Sequence, residues 1–193
     1  MLGLKLPTDP RWVNLADKSI EDILTDHAYC EQKAASTSIS IIQNFPEHEE
    51  VVEALIPIVI EEWGHFKMVL EELKKRQMKL GRQRRDEYVS ALLKFFIKGG
   101  SRTDLLTDKL LFAALIEARS CERFRLLSKG ITDVQLRQFY KNLMVSEAGH
   151  YKLFIDLANA IAGKEKATAR WQQWLDYEAD IMERIALRGD RMH

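Results

Sequence analysis

One motif occurs twice in this chain, and its repetition restricts the fold more than any other feature of the sequence. EWGHFK at residues 62–67 returns as EAGHYK at residues 147–152, 85 positions later. In each copy Glu precedes His by three residues, a spacing that places both side chains on one face of an α-helix. A chain that duplicates such a pair is expected to contain two related helices whose polar positions serve the same purpose.

Apolar residues recur at helical spacing in six segments, and no alternating strand pattern competes with them. We therefore predict an all-α bundle with helices over residues 19–44, 47–80, 86–98, 103–130, 132–163 and 165–187. Pro57 is expected to kink the second helix or divide it, and Gly81 to end it. The fifth helix is expected to begin with a capping box formed by Thr132 and Gln135.

Each Glu-x-x-His pair is preceded by another carboxylate inside an apolar row. Glu31 lies 31 residues before Glu62, and Glu117 lies 30 residues before Glu147. An unpaired carboxylate in such a position would cost several kcal/mol. The chain therefore contains two copies of one helix pair, Glu on the first helix and Glu-x-x-His on the second. This is the ligand pattern of ferritin-like di-iron and di-manganese carboxylate proteins.

A two-metal site built on this pattern explains the buried charge. Two divalent cations balance four carboxylates, and imidazole together with carboxylate suits Fe or Mn. Glu62 and Glu147 are expected to bridge the metals, with Glu31 and Glu117 as terminal ligands. The complete predicted ligand set, catalytic through the metals, is Glu31, Glu62, His65, Glu117, Glu147 and His150. The predicted fold is a ferritin-like four-helix bundle with additional helices, a single di-iron domain over residues 1–193.

Other residues near the predicted ligands have two interpretations each. Glu122 precedes Glu147 by only 25 residues, out of step with the first half, so it is expected either to support a ligand or to pair with Arg119 or Arg123. His27, one turn before Glu31, either supports the metal site or is a hydrogen-bonded core histidine. The glycines of the repeated motif, at 64 and 149, suggest a close approach of facing helices, or are chance small residues.

A basic segment follows the second helix. Residues 74–85 contain seven Lys or Arg among twelve, although the chain as a whole has a formal net charge of zero. Such a segment fits an RNA phosphate backbone, or it is a solvated helix end whose cations favour the helix dipole. The candidate RNA-binding residues are Lys74, Lys75, Arg76, Lys79, Arg82, Arg84 and Arg85.

The remaining sequence features concern the compartment. The chain has only two cysteines, and its longest uncharged apolar run, residues 54–60, has seven residues and contains a proline. Residues 1–15 have no apolar core of signal-peptide length. We therefore expect a cytoplasmic protein with no membrane association.

Five segments together resemble the MiaE family of tRNA hydroxylases, across nearly the whole chain. They are HAYCEQKAAS at 27–36, EEWGHF at 61–66, SRTDLL at 101–106, EARSCERF at 117–124 and SEAGHY at 146–151. The resemblance implies a non-haem di-iron centre that uses O2 to hydroxylate the isopentenyl group of 2-methylthio-N6-isopentenyladenosine. It also implies the tRNA anticodon loop as a partner. Since no nucleotide-binding G-x-G-x-x-G occurs, an external reductase is expected.

Two other classes of protein fit parts of this pattern. One is a ferritin-like iron-handling or peroxide-reducing protein with no organic substrate. The other is a non-enzymatic helical RNA-binding protein whose buried carboxylates are structural. Metal content and hydroxylated nucleoside in tRNA distinguish these classes from the hydroxylase.

Overall fold

A computed structural model describes residues 2–193, and within them the regular structure is entirely helical. Seven α-helices and one 3-10 turn follow one another along the chain. Their bounds are α1 Arg11–Asp17, α2 Ile20–Asn44, α3 Glu49–Lys75, α4 Glu87–Leu92, α5 Arg102–Gly130, α6 Val134–Ala162 and α7 Lys164–Arg184, with the 3-10 turn at Leu93–Phe95. The assignment of residues 1–193 to one domain stays a prediction.

Four long helices form the bundle. α2 packs mainly against α3, and α5 against α6, while contacts of α3 with α6 and of α2 with α5 close it. The end of α3 lies beside the start of α6, where Arg76 donates to Asp133 at 2.8 Å. The start of α5 lies at the opposite end, where Arg102 donates to the Asn44 carbonyl at 2.5 Å. The segment between α3 and α5 therefore crosses the length of the bundle, and this confirms the ferritin-like arrangement with additional helices.

Two apolar clusters fill the bundle, one towards each end. Ile41, Leu55, Leu110 and Phe154 belong to the cluster near the start of α5. Leu24, Val69, Phe124 and Leu143 belong to the cluster near the start of α6, with the short α1 packed on it. The middle turns of all four helices lie between these clusters, so polar side chains at those turns are shielded from water by both.

The second predicted helix was wrong in its end, and of the two expected effects of its proline, a kink or a division, the division does not occur. α3 ends at Lys75, five residues before the predicted end, in a Schellman motif: Met78 N donates to the Leu73 carbonyl, Gln77 N donates to the Lys74 carbonyl, and Gln77 has φ +58°. Pro57 does not divide α3, which continues through it. Because Pro57 is exposed, water reaches the carbonyl that its missing N–H leaves free.

Three other local expectations differ from the structure. α1 was not predicted. Asp133, not Thr132, caps α6, because its carboxylate accepts from the backbone of Gln135 and Leu136 while Thr132 bonds to Asp17. The third predicted helix is shorter than expected, and Asp86 caps it by accepting from Val89 N at 2.9 Å.

Candidate metal centre

The four bundle helices bring all six predicted ligands together in the layer between the apolar clusters. Their donor atoms form two groups in which all atoms lie within 4.8 Å of one another. One group contains Glu31 and His65, the other contains Glu117 and His150, and both contain Glu62 and Glu147. All six side chains are buried. Two neighbouring positions that share two carboxylates are the arrangement required by a two-metal site with bridging ligands.

The donor atoms have few partners within the protein. Both oxygens of Glu62, one oxygen of Glu147, Nδ1 of His65 and both ring nitrogens of His150 are buried without a hydrogen-bond partner in the described residues. His150 Nδ1 lies 2.7 Å from a Glu62 oxygen, but without the alignment of a hydrogen bond. A cavity of about 10 Å³, large enough for one water-sized group, is lined by all four carboxylates of the site. Buried polar atoms are rarely left unpaired, so this donor set fits metal ions.

Three of the four carboxyls are protonated more readily than usual. Burial, together with the other carboxylates, raises the pKa values of Glu31, Glu117 and Glu147 well above the ordinary range. Burial also acts to raise the pKa of Glu62, but its contacts with His150 and His65 outweigh burial and lower it. The site therefore holds protons that two divalent cations would displace.

The two histidines show the reverse balance. Burial acts to lower both pKa values, but the surrounding carboxylates raise that of His65 to about 11 and that of His150 to about 9. Each imidazole presents Nδ1 to the carboxylate cluster and Nε2 to the other side. In a metal-loaded site both would be neutral and bind through Nδ1.

Glu61 is a neighbour of the site that the sequence analysis missed. One of its oxygens lies 3.2 Å from His150 Nε2, the other lies 3.9 Å from His65 Nε2, and Ser146 Oγ donates to the latter. The side chain of Glu61 is about half exposed, at 47%. The signal was present in the sequence, since Glu61 lies four residues before His65 and therefore one turn away from it on α3.

The structure also places the two residues with open interpretations. His27 Nε2 lies 2.5 Å from a Glu31 oxygen, and burial lowers the pKa of His27 to about 3, so a neutral imidazole supports this carboxylate. Glu122 pairs with Arg119, one of its two predicted partners, and accepts from Thr8 Oγ1 at 2.7 Å. Arg123, the other, instead lies over the Trp12 ring at 4.1 Å.

The proposed role of the two motif glycines was wrong. A Cβ atom added to Gly64 or Gly149 would have no heavy atom within 4 Å apart from its own helical surroundings. No facing helix approaches closely at either position. Nothing in the structure explains why glycine occurs there.

The basic segment divides into paired and free cations. Lys75 and Arg76 pair with Glu72, and Arg84 pairs with Asp22 at 2.7 Å. Four of the seven candidates are exposed with no ion pair among the described residues: Lys74, Lys79, Arg82 and Arg85. RNA binding by this segment stays a prediction, and these four unpaired cations are the residues most available to contact phosphates.

No helix in residues 2–193 combines the length and the apolar character that a bilayer crossing requires. The model of one protein family, described as tRNA-(MS[2]IO[6]A)-hydroxylase (MiaE), matches residues 2–193. Two curated relatives are named tRNA 2-(methylsulfanyl)-N(6)-isopentenyladenosine(37) hydroxylase. The one from Pseudomonas putida is 36% identical, over 81% of this chain and 75% of its own length. The one from Salmonella typhimurium is 28% identical, over 93% of this chain and 83% of its own length.

A solved structure has the same fold over nearly its whole length. It is described as Protein 43 with aldehyde deformylating oxygenase activity from Synechococcus. It is 34% identical to this chain, with a TM-score of 0.92 over 98% of this chain and 94% of its own. The likeness therefore extends to the crossover segment, which joins α3 to α5, and to the helices outside the bundle, as well as to the four long helices.

Proposed function

The chain belongs to the MiaE family of tRNA hydroxylases, and we propose that its two-metal site uses iron and O2 to hydroxylate the isopentenyl group of 2-methylthio-N6-isopentenyladenosine in tRNA. The observation that carries the proposal is the pair of donor groups that share Glu62 and Glu147 inside the buried core of the bundle. Carboxylate and imidazole donors suit Fe(II), and neither cysteine belongs to these two groups.

The protein supplies charge, orientation and exclusion of water. Two bound Fe(II) ions would supply O2 activation for insertion of oxygen into an unactivated C–H bond. Four carboxylates balance the charge of two such ions. The Glu61 carboxylate lies 3.2 Å from His150 Nε2, close enough to hold the proton of that nitrogen when Nδ1 binds a metal. The apolar clusters on either side keep bulk water from the reacting groups.

The reaction requires partners outside this chain. One oxygen atom enters the product and the other leaves as water, which takes two electrons and two protons per turnover. We propose that a separate reductase supplies the electrons and that the tRNA anticodon loop presents the base. Because tRNA is the substrate, we also propose the cytoplasm as the compartment.

Aldehyde deformylation is the second candidate, because the Synechococcus protein with that activity is 34% identical and shares the whole fold. Both reactions would use the same metals and an apolar substrate pocket. The free cations of the basic segment favour the tRNA reaction, since a neutral aldehyde gains nothing from them. Incubating the iron-loaded protein with either substrate decides between the two activities.

The deciding experiment compares Glu117→Gln with Glu122→Gln. Iron-loaded protein is incubated with O2, a reductant and tRNA that carries the isopentenyl group, and the nucleosides are then separated. Glu117→Gln should lose at least roughly a hundredfold in hydroxylation, because it removes a negative ligand, while tRNA binding persists. Glu122→Gln, on the same helix but paired with Arg119, should lose less. Equal turnover in wild type and Glu117→Gln would disprove the di-iron proposal.

A further inference from the structure

An apolar cavity of about 350 Å³ opens beside the candidate metal centre. It lies between α2, α5 and the segment that contains α4 and the 3-10 turn. Its deep wall is apolar and includes Ala34, Ala113, Ile116 and Phe154, and Glu117 also lines it. Its volume falls within the range of pockets that bind small molecules. Of the six candidate ligands, Glu117 alone lines this cavity.

The cavity and the metal centre share a wall. Cys30, Ala34, Ile116 and Glu117 line both the 350 Å³ cavity and the small cavity among the ligands. The histidines face away from this wall, with their Nε2 atoms towards Glu61. The 350 Å³ cavity therefore adjoins the centre on the side of α2 and α5, the helices that carry Glu31 and Glu117.

We propose that this cavity is the binding site for the prenylated adenine, which enters with its isopentenyl group first and stops against Ala113, Ile116 and Glu117. The proposal rests on the proposed function, because it names the site where that substrate binds. Ala113 is 6% exposed and lies one helical turn before Glu117. Its small side chain leaves the space that the branched prenyl group would fill, so residue 113 sets the depth of the pocket.

The charges at the mouth fit the backbone of an RNA loop. Lys33 and Lys109 both line the cavity, but Lys33 pairs with Asp86 at 2.5 Å. Lys109 has no carboxylate partner among the described residues, and its Nζ lies 5.9 Å from the centre of the Phe96 ring. A free cation at the rim of an apolar pocket suits a phosphate of the nucleotide whose base is inside.

The basic segment leads to the same mouth. The segment runs alongside α2 in space. Lys79 N donates to Glu21, Gly81 N donates to Thr25, and Asp86 pairs with Lys33. The exposed cations Lys79, Arg82 and Arg85 therefore lie on the approach to the cavity. A polyanion held along this segment would place a flipped base at the opening.

The test is the prenyl preference in binding, measured on iron-loaded protein without O2. Wild type should bind tRNA with 2-methylthio-N6-isopentenyladenosine at least roughly tenfold more tightly than the same tRNA with the methylthio group alone, because burial of the prenyl carbons is favourable. Ala113→Leu should reduce this ratio to about one, with iron content and affinity for the unprenylated tRNA unchanged. The matched control is Ala160→Leu, at an exposed position on α6, which should keep the wild-type ratio.

Lys109→Gln tests the mouth separately. It should weaken binding of both tRNAs by the same factor and leave their ratio intact. The plot of log affinity against log salt concentration should become less steep by about one unit, as expected when one phosphate is no longer neutralised. If Ala113→Leu fails to fold, Ala113→Val, which adds two methyl groups, should still reduce the ratio roughly threefold. A folded, iron-loaded Ala113 variant that keeps the full preference overturns the cavity assignment.

The experiments can disprove the cavity assignment and the proposed function separately. Wild-type hydroxylation by Ala113→Leu would overturn the cavity assignment and leave the hydroxylase in place. A wild-type protein that keeps the prenyl preference but never hydroxylates would overturn the proposed function and leave the cavity as the site where the base binds.

Discussion

At the residue scale, Glu61 and Ser146 occupy the same position in the two copies of the repeated motif, yet they differ in chemistry. Each directly precedes a shared carboxylate, Glu62 or Glu147, and Ser146 donates to Glu61 between α3 and α6. The first copy therefore supplies one carboxylate that faces both candidate histidine ligands, and the second copy supplies the hydroxyl that orients it. Two carboxylates at these positions would repel each other, which accounts for the asymmetry.

Replacing Glu61 by Gln should weaken metal binding without unfolding the protein. The amide has no charge, so it would hold the Nε2 proton of His150 less strongly than the carboxylate does, and it would no longer attract the His65 imidazole. Loss of such a partner typically costs about 10–100-fold in metal affinity. Competition titration with an Fe(II) chelator measures the effect. Glu71→Gln, at an exposed position on the same helix, is the control. Equal iron affinity in both variants would show that Glu61 does not orient the ligands.

At the element scale, the crossover segment between α3 and α5 shows where sequence patterns stop being informative. Helical periodicity predicted the four bundle helices and the two Glu-x-x-His pairs, which depend on residues three or four apart, and the repeat of the helix pair added Glu31 and Glu117. The end of α3 depends on a left-handed Gln77, a conformation for which Gln gives no signal. Pairing of Arg84 with Asp22 and Asp190 joins residues that are far apart in the sequence, so the free cations could not be separated from the paired ones beforehand.

The division into free and paired cations sharpens the RNA prediction. Changing Lys79, Arg82 and Arg85 together to Glu should weaken tRNA binding and reduce its salt dependence by about one unit for each phosphate that these cations neutralise. Iron content should not change, because these residues lie beyond the end of α3. The control reverses three exposed lysines on other surfaces, Lys67, Lys141 and Lys164. Equal weakening in both variants would indicate non-specific attraction and move the RNA-binding surface elsewhere.

At the scale of the whole molecule, the internal repeat explains why the candidate metal centre was more predictable than the proposed substrate pocket. Each half contributes the same helix pair, so spacing alone pointed to the six candidate ligands and to the two carboxylates that both donor groups share. The 350 Å³ cavity has no such symmetry. It is built from α2, α5, Phe154 of α6, the α4 region and His193 near the end of the chain, which come together only in the folded protein.

The same layer of carboxyls and histidines should govern how the metal-free protein responds to pH. The pKa values of Glu31, Glu117 and Glu147 are raised in the folded state, so their contribution to stability is complete below their unfolded value of 4.5 and declines as the pH rises. His65 and His150 act in the same direction, because their folded values of about 11 and 9 exceed the unfolded 6.5. Glu62 and His27 act in the opposite direction, because their folded pKa values are lowered; the contribution of Glu62 to stability is complete above pH 4.5 and that of the single His27 above pH 6.5.

The melting temperature of metal-free protein should therefore fall between about pH 5 and pH 8. Fe(II) should reverse this trend, because it displaces the site's protons and binds more tightly as they become easier to remove. Calorimetry with a chelator and with Fe(II) under anaerobic conditions measures both. Replacing Glu31 and Glu117 by Gln should flatten the metal-free pH dependence, since the amides do not titrate, and should abolish stabilisation by Fe(II). A metal-free protein that gains stability towards pH 8 would mean that the buried carboxyls are not held protonated, and that the layer tolerates its negative charge without a metal.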